Sequence, residues 1–362
     1  MTVWDHKYCT DAARTNSTTK QRRVVELAQT EGLLDLRQVP FDADETWRDI
    51  ARVHEPRYVN AVRTGRPRRL ATSQGFRWSQ AFAESVARIW TGHIAACTLA
   101  LTESVVMHPV SGAHHADYDS GGGFCTFNFL VGAARHLLES GLKCVATIDF
   151  DAHPGDGTYK LTRNTPGVAL FDIAGGSWVN VERGAFCEYH DVDDSTDYRA
   201  ALLMLPDFLD RVKPDLVMYQ AGVDPYMADP VGGIPGVDAE FLRYRDQFVI
   251  GHLLHRGIPV VVNLAGGYVE NGISEHLHLE TIRVAADTLS RQGTRELCSF
   301  DRETGTLTDE ALHAELLGDD TTESDLDLTP CENMTDKEID GYIEAHCRKH
   351  YGGNANRKPD GK

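Results

Sequence analysis

The sequence has no CxxC pair, no basic surplus, no long apolar run, no internal repeat and no low-complexity tract. Its eight cysteines (Cys9, Cys97, Cys125, Cys144, Cys187, Cys298, Cys331 and Cys347) are scattered over 362 residues. That excludes a zinc ribbon or a thioredoxin-like motif and fits the reduced thiols of a cytosolic protein. Lysine and arginine number 36 against 54 aspartates and glutamates, a formal charge of −18. So few cations offer no broad surface for releasing counterions from a phosphate backbone, and direct nucleic-acid binding is not expected. The acidity reads as plain solubility. No apolar stretch approaches the ~18 residues of a membrane helix. Met1–Lys7 lacks the basic-then-apolar order of a secretory signal. The expectation is a cytoplasmic protein without membrane contact, and a homo-oligomer is compatible with it.

What is present is the composition of a globular enzyme, 41% hydrophobic and 25% charged. Val145–Asp149, Leu216–Gln220 and Pro259–Leu264 are short, apolar and β-branched or aromatic, and each runs into a loop rich in Gly, Asp or Pro. Helical spacing lies between them. Trp78, Phe82, Val86, Ile89, Trp90 and His93 form one amphipathic face. Phe241, Tyr244 and Phe248 lead a second helix, which stops at Gly257. Asp197–Val212 is a third, with Pro206 expected to kink or break it. Alternating strands and helices imply an α/β protein, a single parallel-sheet core with helices on both faces, whose ligands bind beyond the carboxyl ends of the strands. Residues 1–300 are expected to form the catalytic domain and 301–362 an acidic extension. From Asp301 to Asp327 ten residues are acidic and Arg302 alone is basic, and Thr335–Glu338 is a capping box opening a short terminal helix.

Chemistry concentrates in the loops after the strands. In Asp149-Phe-Asp-Ala-His153 the residues Asp149, Asp151 and His153 fall on one side of an extended chain. Two carboxylates and an imidazole emerging from an apolar strand suit a divalent cation better than a turn, because burying them unpaired is expensive. Asp224 after the next strand would complete a three-ligand set, with Asp229 as the rival. His114 and His115 are adjacent, after a strand at Val105–Met107. In a loop such a pair can flank a bound water, one of them acting as general base, with Asp149 and Asp156 free to orient the rings. Gly266-Gly-Tyr268 follows the last strand, where a tyrosine hydroxyl can donate to an oxyanion.

These loops resemble the histone deacetylase and acetylpolyamine amidohydrolase family, of arginase-like fold. The likeness runs from Arg52-Val-His-Glu-Pro-Arg-Tyr-Val59 through His114-His115 and Gly123-Phe-Cys125 to Gly266-Gly-Tyr268. It implies that Asp151, His153 and Asp224 bind Zn2+ or Fe2+, and that a K+ ion sits near Asp149–His153. It further implies that His115, paired with Asp156, is the general base and acid, and that His114, oriented by Asp149, is its electrostatic partner. Tyr268 would be the oxyanion donor, and Phe124, after Gly123, one wall of an acyl channel. The implied reaction is hydrolysis of an acetyl-lysine-like or small acetylated amine by a metal-activated water.

The sequence also departs from the family. Pro154 stands where a second histidine is usual, and Ser111-Gly-Ala lacks the usual proline. Phe171–Trp178 replaces the Ser-x-His segment and the second aromatic wall. Val231 occupies the position where polyamine-selective relatives carry a glutamate. A dinuclear manganese amidinohydrolase and a non-catalytic protein retaining the fold are the alternatives.

Overall fold

The computed structural model describes residues 1–13, 15–163, 165–176 and 186–292, with two further short strands at Phe300–Asp301 and Thr306–Leu307. The helix expected from Thr335, the rest of the acidic stretch, and Trp178 lie outside the described residues.

Eight strands build one sheet: β1 (Thr2–Val3), β2 (Leu36–Arg37), β3 (Val105–His108), β4 (Val145–Asp149), β5 (Val168–Ala174), β6 (Cys187–Asp191), β7 (Leu216–Gln220) and β8 (Val260–Asn263). Their order is β2-β1-β3-β8-β7-β4-β5-β6, and every neighbouring pair is parallel. Side chains alternate between two apolar layers. Ala146, Ile148, Val217, Tyr219, Val260 and Val262 enter one, while Val145, Leu216, Met218 and Val261 enter the other. A strand buried on both faces needs an unbroken apolar run, which is why the central strands stand out in the sequence.

The helices follow their local signals. Ser79 accepts a hydrogen bond from the Phe82 N–H and opens the helix Gln80–Glu103. Trp78, expected within that helix, therefore precedes it, and its indole donates to the Val62 carbonyl at 2.6 Å. The third helical stretch is broken as expected, into Ser195–Leu202 and Leu205–Val212. Pro206 sits in the first turn of the second piece, where its missing N–H costs nothing. Asp238 caps Ala239–His255, which ends before Gly257 at φ +66°.

Parallel pairing aligns the carboxyl ends. Asp149 is in register with Gln220, Gln220 with Asn263, and Asn263 with His108. The loops that follow β3, β4, β7 and β8 consequently leave the sheet side by side.

Candidate active site

The loop after β4 carries Asp151 and His153, and the loop after β7 carries Asp224. All three are buried, and each offers a ligand atom within 4.8 Å of the others. His153 Nδ1 lies 3.0 Å from Asp151 Oδ1 and 3.1 Å from Asp224 Oδ2. The other ring nitrogen, Nε2, is 3.2 Å from the Val231 carbonyl. A proton on Nε2 satisfies that carbonyl, so that on loss of the Nδ1 proton the lone pair would face the carboxylates, the tautomer a ligand needs. Asp229, the rival ligand, is not in this cluster. Its carboxylate accepts from backbone N–H groups of Val231, Gly232 and Tyr268.

The loop after β8 passes against the cluster. Gly266 donates its N–H to Asp151 Oδ2 at 2.8 Å. A Cβ on Gly266 would collide with the carboxylates of Asp224 and Asp151, so no other residue fits there. Burial raises Asp224 to about 7, and the Asp151 carboxylate adds to the shift against the pull of His153. Burial also opposes charge on Asp151, but the imidazoles of His114 and His153 hold it well below the usual carboxylate range. On His153 the cost of burial is outweighed by hydrogen bonds to Asp151 and Asp224, which carry it up to about 11. Two buried carboxylates and an imidazole whose Nδ1 faces them form a donor set suited to a divalent cation.

His114 and His115 lie in the loop after β3, their rings 4.1 Å apart. His114 Nδ1 is 2.9 Å from Asp149 Oδ2, and His115 Nδ1 is 2.7 Å from Asp156 Oδ1. The two imidazoles are driven apart. His114 is buried, yet Asp149 and Asp151 bring it up to about 10. His115 is pushed below its ordinary value by burial and then by its neighbour His114. The two rings are thus pushed in opposite directions, the division of labour an acid–base pair requires. Gly123, at φ +48°, passes so close to the His115 ring that a Cβ would overlap it.

Tyr268 lies beyond Gly266 and Gly267. Its ring is 5.7 Å from that of Phe124, which stacks in turn on Phe76 at 5.8 Å. Burial, followed by the Asp151 and Asp224 carboxylates, raises the phenol far above 10, so it remains a donor. Phe171 belongs to β5 and packs in the core against Phe150 and Phe208, because residues 171–174 continue the sheet.

Three supporting residues escaped the sequence reading. Lys20, 1% exposed, donates to the carbonyls of Ala265 at 2.8 Å and Gly267 at 3.1 Å, with its ammonium 5.4 Å from the Tyr268 ring centroid. Arg245, fully buried, donates to the carbonyls of Gly222 at 2.6 Å and Phe150 at 3.3 Å. Asp172, opposite Asp149 in the sheet, accepts from the Gly155 N–H at 2.8 Å. Lys20 sits in Lys-Gln-Arg-Arg23, which reads as a solvated helix face, and nothing local marks it as buried.

The fold is that of a deacetylase-type α/β protein. The chain matches the histone deacetylase domain over residues 14–178 and 179–283 and belongs to that family of amide-hydrolysing enzymes. An uncharacterized protein of Picosynechococcus is 32% identical over 253 residues, covering 67% of this chain and 82% of that protein. Histone deacetylase 2 of Arabidopsis thaliana is 25% identical over 300 residues, 76% of this chain and 73% of its own. The structure of acetylpolyamine aminohydrolase from Burkholderia pseudomallei superposes with a TM-score of 0.64 at 18% identity, covering 80% of this chain and 98% of that one, a likeness of fold. No helix among the described residues is long and apolar enough to cross a membrane.

Proposed function

We propose that the protein removes the acetyl group from an acetyl-lysine side chain or a small acetylated amine, using one divalent ion held by Asp151, His153 and Asp224. The observation that carries this reading is a buried Asp–His–Asp donor set beside two histidines, each paired to its own carboxylate. Zn2+ or Fe2+ bound there would supply Lewis-acid polarisation of the amide carbonyl and a lowered pKa for water.

The chain's own residues do the rest. His115, whose charged form burial disfavours, takes the proton of the attacking water at Nε2, since Asp156 holds Nδ1, and then delivers a proton to the leaving amine. Asp156 is suited to this because, despite its burial, the hydrogen bonds of His115 and Lys160 bring it to about 2. Charged His114 balances the negative charge that builds up during attack. The Tyr268 hydroxyl donates to the oxyanion. A K+ ion near Asp149–His153 belongs to the same proposal. Asp172 Oδ1 is buried with no hydrogen-bond partner, and both Asp149 and Asp172 line a cavity of ≈ 20 Å³. Val231 is 43% exposed and offers no charge to a polyamine, which favours a neutral substrate chain.

The test is metal analysis after loading stripped protein with Zn2+, Fe2+ or Mn2+, followed by assay on acetyl-lysine peptides, acetylated small amines and guanidino compounds. One ion per chain and acetate release are expected. Two manganese ions per chain with guanidine cleavage would replace this reading by the amidinohydrolase one. Among the described residues only one candidate metal cluster is found.

A further inference from the structure

Asp229 is buried, lies outside the Asp151–His153–Asp224 cluster, and accepts three backbone hydrogen bonds at its two carboxylate oxygens. Oδ1 takes the N–H groups of Val231 at 2.9 Å and Gly232 at 3.1 Å, and Oδ2 takes that of Tyr268 at 2.6 Å. Val231 is bonded at its carbonyl as well, where His153 Nε2 lies 3.2 Å away. A continuous path therefore runs from the imidazole of the ligand set, through Val231 and Asp229, to the backbone of the tyrosine. Lys20 grips the carbonyls on the same loop, at Ala265 and Gly267, so the tyrosine turn is held by its N–H on one side and its carbonyls on the other.

The chemistry of this link calls for a carboxylate. Both of its oxygens accept, whereas an amide accepts at one and donates at the other. Hydrogen bonds to an ionised acceptor are also about twice as strong as neutral ones. A shift of ~1 Å in a reacting group can cost about 100-fold in rate, so the placement of a loop tyrosine needs such a tether.

We propose that Asp229 is a positioning residue: it ties the Tyr268 backbone to the Val231 segment and so sets where the Tyr268 hydroxyl stands relative to His153. The inference rests on the reading of Tyr268 as the oxyanion donor. It adds a determinant of the reaction that touches neither substrate nor ion.

Asp229→Asn is the direct probe. Its remaining oxygen keeps the Val231 and Gly232 bonds, while its NH2 group cannot accept from Tyr268. In the zinc-loaded enzyme kcat should fall by ~10- to 100-fold with KM changed by less than ~3-fold, and the ion content should stay at one per chain. In metal-free protein the Tyr268 amide should exchange with deuterium at least ~10-fold faster than in wild type. The decisive measurement is the double variant. With Tyr268→Phe already present, Asp229→Asn should cost less than ~3-fold more, because the group it positions is gone.

Equal losses in both backgrounds, or loss of the ion, would mean that Asp229 supports the scaffold or the ligands, and the proposal fails alone. Full activity of Tyr268→Phe by itself overturns the reading of Tyr268 and this inference with it. If Asp229→Asn does not fold, Asp229→Glu keeps the charge but displaces both oxygens, and the same three readouts decide.

Discussion

The imidazole of His115 lies 2.7 Å from the carboxylate of Asp156, and that carboxylate is also held by Lys160 at 2.9 Å. His114 is paired just as closely, to Asp149 at 2.9 Å, yet the carboxylates of Asp149 and Asp151 raise it against its burial, whereas burial and His114 lower His115. Hydrogen-bond geometry alone does not separate the two rings. The opposite shifts of their proton affinities do, and they bear on what each can do with a proton.

His115→Ala should leave the bound ion in place and lower turnover by at least ~100-fold, the scale of losing a general acid–base. The base is active when deprotonated, so kcat/KM should rise with pH. Its acid limb should fall below the ordinary imidazole value of about 6.5, because burial and His114 disfavour the charged ring. Asp156→Asn removes a carboxylate that favours the charged ring and should move that limb to still lower pH. A pH–rate profile checks both. An acid limb above that value would assign the titration to another group.

Asp151→Ala and His153→Ala should lose metal and turnover together, since a three-ligand open site has no spare donor. Metal-free His153 is raised to about 11 and Asp224 to about 7, so both hold protons to different extents at neutral pH. Loading Zn2+ at pH 7 should therefore release about one to two protons per ion, fewer as the pH rises through the Asp224 range. Calorimetry in buffers of different ionisation enthalpy measures this number. Proton-neutral loading would count against the ligand assignment.

Tyr268→Phe removes one oxygen and should cost about 2.7–4 kcal/mol of transition-state stabilisation, or ~100- to 1,000-fold in kcat. Folding and metal content should be unchanged, and substrate affinity should change far less than rate. Steady-state kinetics and elemental analysis of the purified variant give the comparison. A wild-type rate would remove Tyr268 from the chemistry.

Arg245 binds one carbonyl from the strand end before Asp151 and one from the loop before Asp224, and its charge is met by Asp246 at 2.9 Å. Asp246 is held in turn by Tyr219 at 2.5 Å and Thr281 at 2.6 Å. Arg245→Met strands a buried carboxylate and should destabilise the fold by about 3–5 kcal/mol. It should also weaken zinc binding, because the two ligand loops lose their common anchor. Denaturant unfolding and metal titration report the two effects separately. Normal zinc affinity with lowered stability would confine Arg245 to the core.

Much of this was legible from residue type and order. The strands β4, β7 and β8 are apolar runs bounded by loops, and the family motifs lie where those runs end. The rest was hidden for identifiable reasons. Strands β1 and β2 are two residues long, too short to show any period, and β6 is a half-exposed edge with the polar sequence Cys-Glu-Tyr-His-Asp. Within β5 the polar Asp172 interrupts the apolar run, so this strand did not stand out with the other three. Asp229 seemed a rival ligand because its partners are backbone N–H groups, one of them 39 residues away. Lys20 and Arg245 act on carbonyls 245 and 95 residues distant, a relationship no local pattern encodes.

The position of β8 governs how the molecule must be made. It is the last strand of the sheet to be synthesised, yet it lies between β3 and β7. Until Val260–Asn263 has left the ribosome, the nascent chain holds two incomplete sections of sheet, each ending in an open apolar edge. Such edges invite pairing with other chains, and long-range parallel pairing is slow to form. A polypeptide stopped short of Val260 would present both edges permanently and lack the loop of Gly266 and Tyr268. Translation pausing in that interval should therefore favour aggregation.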